Sequence, residues 1–410
     1  MSDLSWPRAP RCARALQLAW VLGAGCASAA STPATVAPVA ATAAAAPPKA
    51  STSAPGEAAE RNAAAAGDAA ADPALAAVTL PPRPEWMDKY AGSDPGDPRF
   101  FVIDALMRTY GLGRAQAIEL QNHHRDLTRA APELAPAAAF RAALERAQAG
   151  TFERPRDEAR LRDAPFIVVF DLDETLYDQY LRAPEACPPG QLVAVPRGDG
   201  STAALHPTPG WDAAIERLHA LGGAVVIFSA NRDVNNRENL AALQLGGVPV
   251  WDHPKVAAIA TNSHLVLQSK HEGEGASDPR RGHPVPEPFK DLRMFDESLT
   301  RVILVDDNPL RVAQHRNLRL IQKFDGDARC TATDPAQRRA WDRSLAVVVA
   351  EIEQAVAYMQ RANVDFATAY LPFTQLGQLT VQWLMDTRKL TRAQAIAAVR
   401  REPELVPREF

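Results

Sequence analysis

Asp171 and Asp173 stand with one residue between them in the run DLDET, directly after FIVVF at 166–170. Two carboxylates so placed can divide the labour of phosphoryl transfer. One attacks phosphorus, while the other, its pKa raised by the neighbouring charge, protonates the leaving group and later activates water. Thr175 supplies a hydroxyl that can orient them or bind phosphate, and Ser229, directly after AVVIF at 224–228, offers another to a phosphoryl oxygen. Lys290 in PFKDL can neutralise charge on the transferred group. Asp306-Asp307, after RVILV at 301–305, complete with Asp171 and Asp173 an oxygen-rich set suited to Mg²⁺. A lone DxD is a common surface pair; four matched elements, at strand ends or just before one, are a site. Lys255 and Lys270 compete with Lys290 but lie further from the last strand, and Asn231 and Arg232 either reach a substrate or cap a helix and pair ions.

The elements that must position these groups are legible. FIVVF, AVVIF and RVILV are continuous apolar runs, as expected of strands buried on both faces, and residues 211–221 between the first two have helical spacing. Strands alternating with helices predict an open α/β fold with a parallel sheet, which binds ligands at the carboxyl ends of its strands. Before the sheet, the pattern predicts a helix from Phe100 to about Met107, a turn at Gly111 and Gly113, a helix from Arg114 and another over about 136–148. Residues 336–400 read as helical. LMRTYGLGRAQAI at 106–118 and LMDTRKLTRAQAI at 384–396 agree at nine of thirteen positions, which predicts a duplicated helix-turn-helix unit. The two copies are expected to pack together as a pseudo-symmetric lobe.

In order and spacing, FIVVFDLDETLY, AVVIFS, Lys290 and VDDNP resemble the four motifs of the haloacid-dehalogenase superfamily of phosphohydrolases. DLDETL, Pro209-Gly210, KDL and VDDNP are most similar to its carboxy-terminal-domain phosphatase (NLI-interacting-factor-like) branch, named for RNA polymerase substrates; 209–232 is also similar to exported bacterial acid phosphatases. The chain departs from the latter in lacking their further acidic pattern after the fourth motif. The resemblance covers about 165–325 and implies a Rossmann-like core with a small or minimal cap. It also implies an aspartyl-phosphate on Asp171, general acid/base work by Asp173, phosphate binding by Ser229 and Lys290, and Mg²⁺ held by Asp171, the main-chain carbonyl of Asp173 and Asp307, with Asp306 in support. A dehalogenase would have no use for Asp173 or for the paired acids at 306–307. The different-class rival is a phosphate-sensing or scaffold protein whose helical lobe binds a partner.

Substrate choice rests on inserts over the site, and both are modest. Residues 176–208 suit a loop or small hairpin; 233–289 open with a helix, contain HLVLQ and end in the polar stretch HEGEGASDPRRGHPVPEP, expected to be a mobile loop. An open site of this kind admits a phosphorylated small molecule or a phosphoprotein, whereas flanking helices folded over it would restrict the choice.

The ends of the chain carry other information. Arg8, Arg11 and Arg14 precede the apolar run at 15–25, the layout of an export signal. Ala27-Ser28-Ala29 fits cleavage and release near Ala30, whereas VLGAGC resembles a lipobox that would anchor the protein to a membrane through lipidated Cys26. Residues 27–82 hold 25 alanines and 8 prolines in 56 positions without an aromatic, so they form a tether. The expected organisation is signal 1–29, tether 30–84, helical segment 85–160, phosphatase core 161–335 and C-terminal helical segment 336–410. Either fate of the signal would place the protein outside the cytoplasm, as a periplasmic, secreted or anchored species, away from any RNA polymerase; the other reading of the segment is a disordered cytosolic leader. Cys187 and Cys330 are the cysteines of the expected folded part, which limits it to one bridge, and the histidines lack zinc spacing. The net charge of −4, without a Lys/Arg block, argues against nucleic-acid binding.

Overall fold

The computed structural model describes residues 102–408 apart from 132, 135, 151–153, 189, 269–276, 279–282 and 285–286. The export signal, the tether, Cys26, Lys270 and much of the polar loop ending the second insert lie outside the described residues. Those described belong to one compact unit, Ala70–Phe410.

Ten strands carry the argument: β1 (Ile167–Phe170), β2 (Tyr177–Tyr180), β3 (Val193–Pro196), β4 (Thr202–Pro207), β5 (Ala224–Phe228), β6 (Val256–Ala260), β7 (Val266–Gln268), β8 (Glu287–Phe289), β9 (Val302–Asp306) and β10 (Leu318–Leu320). The central sheet has the order β10-β9-β1-β5-β6 and every pairing in it is parallel. β1, β5 and β9 are the three apolar runs anticipated from sequence, each buried along its length. The edge strands carry weaker signals, since VAAIA is mostly alanine and LRL has a charge at its centre.

Side chains alternate across β1, so the sheet has two apolar faces. Ile167, Val169 and Val226 meet α1 (Ile103–Tyr110), α2 (Arg114–Ala130), α3 (Pro136–Ala149) and α4 (Glu158–Asp163) through Leu106, Ile118, Ala143 and Leu161. Phe166, Val168 and Ile227 meet α5 (Trp211–Ala220) and α6 (Asp233–Ala242) through Ile215 and Leu240. After β10 come α7 (Gly326–Thr331), α8 (Pro335–Ala362) and α9 (Phe366–Tyr370); Leu345, Ile352 and Phe366 extend that second core. Among the described residues no helix is long and apolar enough to cross a membrane.

The repeated sequence forms the same local structure twice. In the first copy α1 ends at Gly111, left-handed at φ 62°, and Gln116 Oε1 accepts from Gly113 N at 2.9 Å. In the second, α10 (Gln375–Arg388) ends at Lys389, left-handed at φ 55°, before α11 (Arg392–Arg401), where Gln394 Oε1 accepts from Thr391 N at 2.9 Å. The expectation that the copies pack together gives way, because their apolar faces are used elsewhere. Leu106 and Ile118 belong to a sheet-face core, whereas Leu384 and Val399 cluster with Leu371 and Val406.

The first insert is the small cap: β2, β4 and β3 form an antiparallel flap entered from Asp173 through a tight turn. Cys187, between β2 and β3, is bonded to Cys330 of α7 across a sequence separation of 143.

Candidate active site

Register along the sheet brings the first and fourth motifs together. Phe170 pairs with Val305, and Asp171 N donates to Val305 O at 3.0 Å, so the chain leaves β1 beside the end of β9. Carboxylate oxygens of Asp171, Asp306 and Asp307 consequently lie within 4.8 Å of one another. Lys290 enters from the segment after β8. Its main chain is pinned to the stretch following β9, with Lys290 N on Arg311 O at 2.9 Å and Ala313 N on Lys290 O at 3.1 Å. Its ammonium, 2% exposed, donates to Asp171 Oδ1 and Asp306 Oδ2, both at 2.7 Å.

The other predicted groups flank this cluster. Ser229 Oγ donates to Asp173 Oδ2 at 3.3 Å and accepts from Asn231 N at 3.0 Å. Thr175 Oγ1 donates to Asp307 Oδ1 at 3.3 Å, while its carbonyl accepts from Thr208 Oγ1 at 2.9 Å. Both hydroxyls are buried and engaged with carboxylates, so neither presents itself to phosphate in this structure. Asp171, Asp173, Lys290, Asp306 and Asp307 instead line a cavity of about 150 Å³, together with Glu174, Ala230, Asn308 and Arg311. Lys255 pairs with Glu216 on α5 and takes no part.

The electrostatics follow from burial. Removal from water pushes the Asp171 carboxyl up to about 8; Lys290 opposes the rise and Asp306 adds to it. Asp307 is pushed up to about 6 by burial and then by Asp306, and burial also raises Asp173. Burial works to lower the Lys290 ammonium, but Asp171 and Asp306 outweigh it and hold its pKa above the ordinary value. One cation thus faces an excess of buried acids.

Several residues that shape the site carried no separate signal in the sequence. Glu174, left-handed at φ 63°, holds the turn after Asp173; its carbonyl accepts from Phe324 N at 2.7 Å and its carboxylate pairs with Lys323. Asn308 N donates to Asp306 Oδ1 at 2.8 Å and Asn308 Oδ1 accepts from Leu310 N at 3.0 Å, which fixes the turn after β9. Glu174 stands inside DLDETL and Asn308 inside VDDNP. Arg114, from the repeat, binds Glu297 at 2.5 Å, Asp104 at 2.7 Å and Asp291 at 3.5 Å. It thereby clamps the residue next to Lys290.

Comparison with known proteins bears on the same segment. No curated protein matches the chain. A solved structure of Fcp1, an essential RNA polymerase II CTD phosphatase, is 15% identical with a TM-score of 0.28; the match covers 50% of this chain and 55% of that one, about half of the relative's length. A variant of the fission yeast RNA polymerase II CTD phosphatase Fcp1 bound to beryllium fluoride is 12% identical with a TM-score of 0.29, over 58% of this chain and 69% of that one. At these scores neither superposition carries an argument. The match of residues 166–334 to the NLI interacting factor-like phosphatases does, because that span contains β1, the flap, Ser229, Lys290 and both acids after β9. Over residues 166–334 the chain is similar to the NLI interacting factor-like phosphatase family.

Proposed function

We propose that the protein is a Mg²⁺-dependent phosphomonoesterase working through an aspartyl-phosphate on Asp171. The observation that carries this reading is the grouping of Asp171, Asp306 and Asp307 within 4.8 Å around Lys290. A hard divalent cation fits the donor set, because every ligand is oxygen and the buried acids outnumber the one buried cation. Asp171, Asp307 and the Asp173 main-chain carbonyl would hold it, and when bound it supplies positive charge that offsets repulsion between nucleophile and phosphate.

The protein's own groups account for the rest. Lys290 holds Asp171 Oδ1, which leaves Oδ2 to attack phosphorus while the ester P–O bond breaks. Asp173, kept protonated longer by burial, gives its proton to the departing oxygen. Its carboxylate then takes a proton from water, whose oxygen attacks the aspartyl-phosphate; phosphate leaves and Asp171 is restored. Ser229 steadies Asp173 and Thr175 steadies Asp307, and each hydroxyl would have to turn from that carboxylate to bond a phosphoryl oxygen.

The substrate we propose is a phosphoprotein or a phosphomonoester of an exported compartment. The three-stranded flap and the absence of a helical cap among the described residues leave the cavity open to a chain-borne phosphate. The Cys187–Cys330 bridge supports an oxidising compartment, in keeping with the signal-like N-terminus. The test is phosphate release by the full chain from an aryl phosphate and a phosphopeptide, with Mg²⁺ or chelator, beside Asp171→Asn. Metal-dependent turnover and a hydroxylamine-sensitive phosphoenzyme, both lost in the variant, are expected. Turnover that survives Asp171→Asn would overturn the reading.

A further inference from the structure

We propose that Arg311 is a specificity-determining residue that takes a second oxyanion of the substrate, a carboxylate or a phosphate close to the scissile phosphomonoester. The inference rests on the phosphatase reading of the cavity and adds to it the class of substrate. Lys290 and Arg311 are the two cations on the cavity lining, where they stand among five acids.

The two cations are used differently. Lys290, 2% exposed, is held by Asp171 and Asp306 at 2.7 Å each. Lys323, close by, is likewise engaged, by Glu174 of the lining. Arg311 is exposed, and among the described residues its guanidinium has no hydrogen bond, ion pair or aromatic partner. A positive charge left uncommitted at the rim of an anion's site is available to the substrate.

The backbone that carries this guanidinium is fixed. Arg311 O accepts from Lys290 N at 2.9 Å, and Lys290 pairs with Val312 in an isolated parallel bridge. Asn308 Oδ1 holds Leu310 N at 3.0 Å on one side of Arg311, and Val312 on the other is 2% exposed. Position 311 is thus tied to the lysine at the reacting centre, and only its side chain is free to follow a ligand.

Size and chemistry say which group it takes. The cavity, of about 150 Å³, falls below the roughly 300–1,000 Å³ of pockets that enclose a small ligand. It therefore holds the phosphoryl group and leaves the rest of the substrate at the rim, where Arg311 is exposed. A neutral neighbour of the scissile phosphate gains nothing from a cation there, and a basic one is repelled. A carboxylate or a phosphate matches the planar fork of a guanidinium through two parallel N–H···O bonds. The acids of the lining oppose a second anion, and Arg311 supplies the charge that offsets them.

The test uses the full chain in Mg²⁺ and four phosphoserine peptides that differ only in the residues on both sides of the phosphoserine: alanine, aspartate, lysine, or a non-hydrolysable phosphonate isostere of phosphoserine. The expected kcat/KM is at least about fivefold higher for the aspartate or the phosphonate peptide than for the alanine peptide, and the larger of the two gains tells carboxylate from phosphate. Arg311→Gln should bring that ratio to within about twofold of one. Arg311→Glu should turn the preference toward the lysine peptide, a reversal that a merely structural role does not produce. Circular dichroism checks that both variants are folded, as expected for an exposed side chain that makes no bonds. Affinities of Asp171→Asn and of its Arg311→Gln double variant for the same peptides, by calorimetry, read the preference without turnover. A parent that turns over none of the peptides removes the phosphatase reading, and the affinities then decide the role of Arg311 by themselves. No preference for the anionic peptides, a preference that survives Arg311→Gln, or a loss equal for all four peptides overturns the proposal; the last result would place Arg311 on the scissile phosphate itself.

Discussion

Lys290 Nζ and Asp171 Oδ1 are 119 positions apart in the chain and 2.7 Å apart in the structure. The same ammonium reaches Asp306, so one buried cation stands between two buried acids at neighbouring strand ends. Replacing Lys290 by Met keeps most of the volume and leaves the acids facing each other. Breaking a buried pair by removing one partner costs about 3–5 kcal/mol. Lys290→Met is expected to lose that much stability in chelator, measured by urea unfolding, and to lower kcat/KM at least a hundredfold. Mg²⁺ should return part of the stability, because it supplies charge where the ammonium was.

Asp171→Asn should have opposite effects on activity and on metal-free stability. Its carboxyl is held up to about 8 by burial, with Lys290 opposing and Asp306 adding, whereas an unfolded aspartate titrates near 4. The folded state therefore keeps a proton that the unfolded state releases. The contribution to stability is full below about pH 4 and is lost as pH rises toward about 8. Urea midpoints in chelator are expected to fall from pH 5 to pH 8 in the parent and to fall less in Asp171→Asn, leaving the inactive variant the more stable at pH 8. Asp307, held up to about 6, adds a loss of the same sign in both proteins, so the difference between them isolates Asp171.

How much of this was legible depended on whether a residue's partner is local. Asp171, Asp173, Ser229 and Lys290 could be found because the apolar strand, or the short KDL run, announces the position. β6 could not, because alanines bury too little surface to mark a strand. The role of Thr175 needed register, since it bonds Asp307, 132 positions away and just after β9. Most opaque was the repeat. RAQAI appears twice with the same turn and cap, yet Arg114 is buried among Asp104, Asp291 and Glu297 while Arg392 is exposed. Shared local sequence gave a similar turn with the same glutamine-to-backbone bond, and packing gave the copies different neighbours.

That difference gives a test of positioning. Arg114 holds Asp291, adjacent to Lys290, and Asp291 also bonds Arg293 and Gln314. Loss of the clamp lets the lysine drift, and small misplacements at a reacting centre cost large factors in rate. Arg114→Met should lower kcat about tenfold with KM within about twofold, and Arg392→Met should leave both within about twofold. If the effect runs through Lys290, adding Arg114→Met to Lys290→Met costs no further activity, which a double-mutant cycle reads directly.

The Cys187–Cys330 bridge should matter more for persistence than for turnover. It encloses β3 through β10, so Ser229, Lys290, Asp306 and Asp307 all lie inside the loop it closes. For a sequence separation of 143, the chain-entropy description gives up to about 5 kcal/mol, acting on the unfolded state. The folded flap keeps other ties to α7, since Asp178 Oδ2 accepts from Gly326 N at 3.0 Å. Phe324 N still bonds the Glu174 carbonyl, which holds the turn after Asp173. Cys330→Ser is therefore expected to lose about 2–5 kcal/mol in urea unfolding in chelator and, with Mg²⁺ present, to retain kcat within about threefold below its melting transition. A variant that unfolds like the parent would place the bridge outside the stabilising contacts. One that is stable but inactive would make the flap, rather than the sheet, the part the bridge serves.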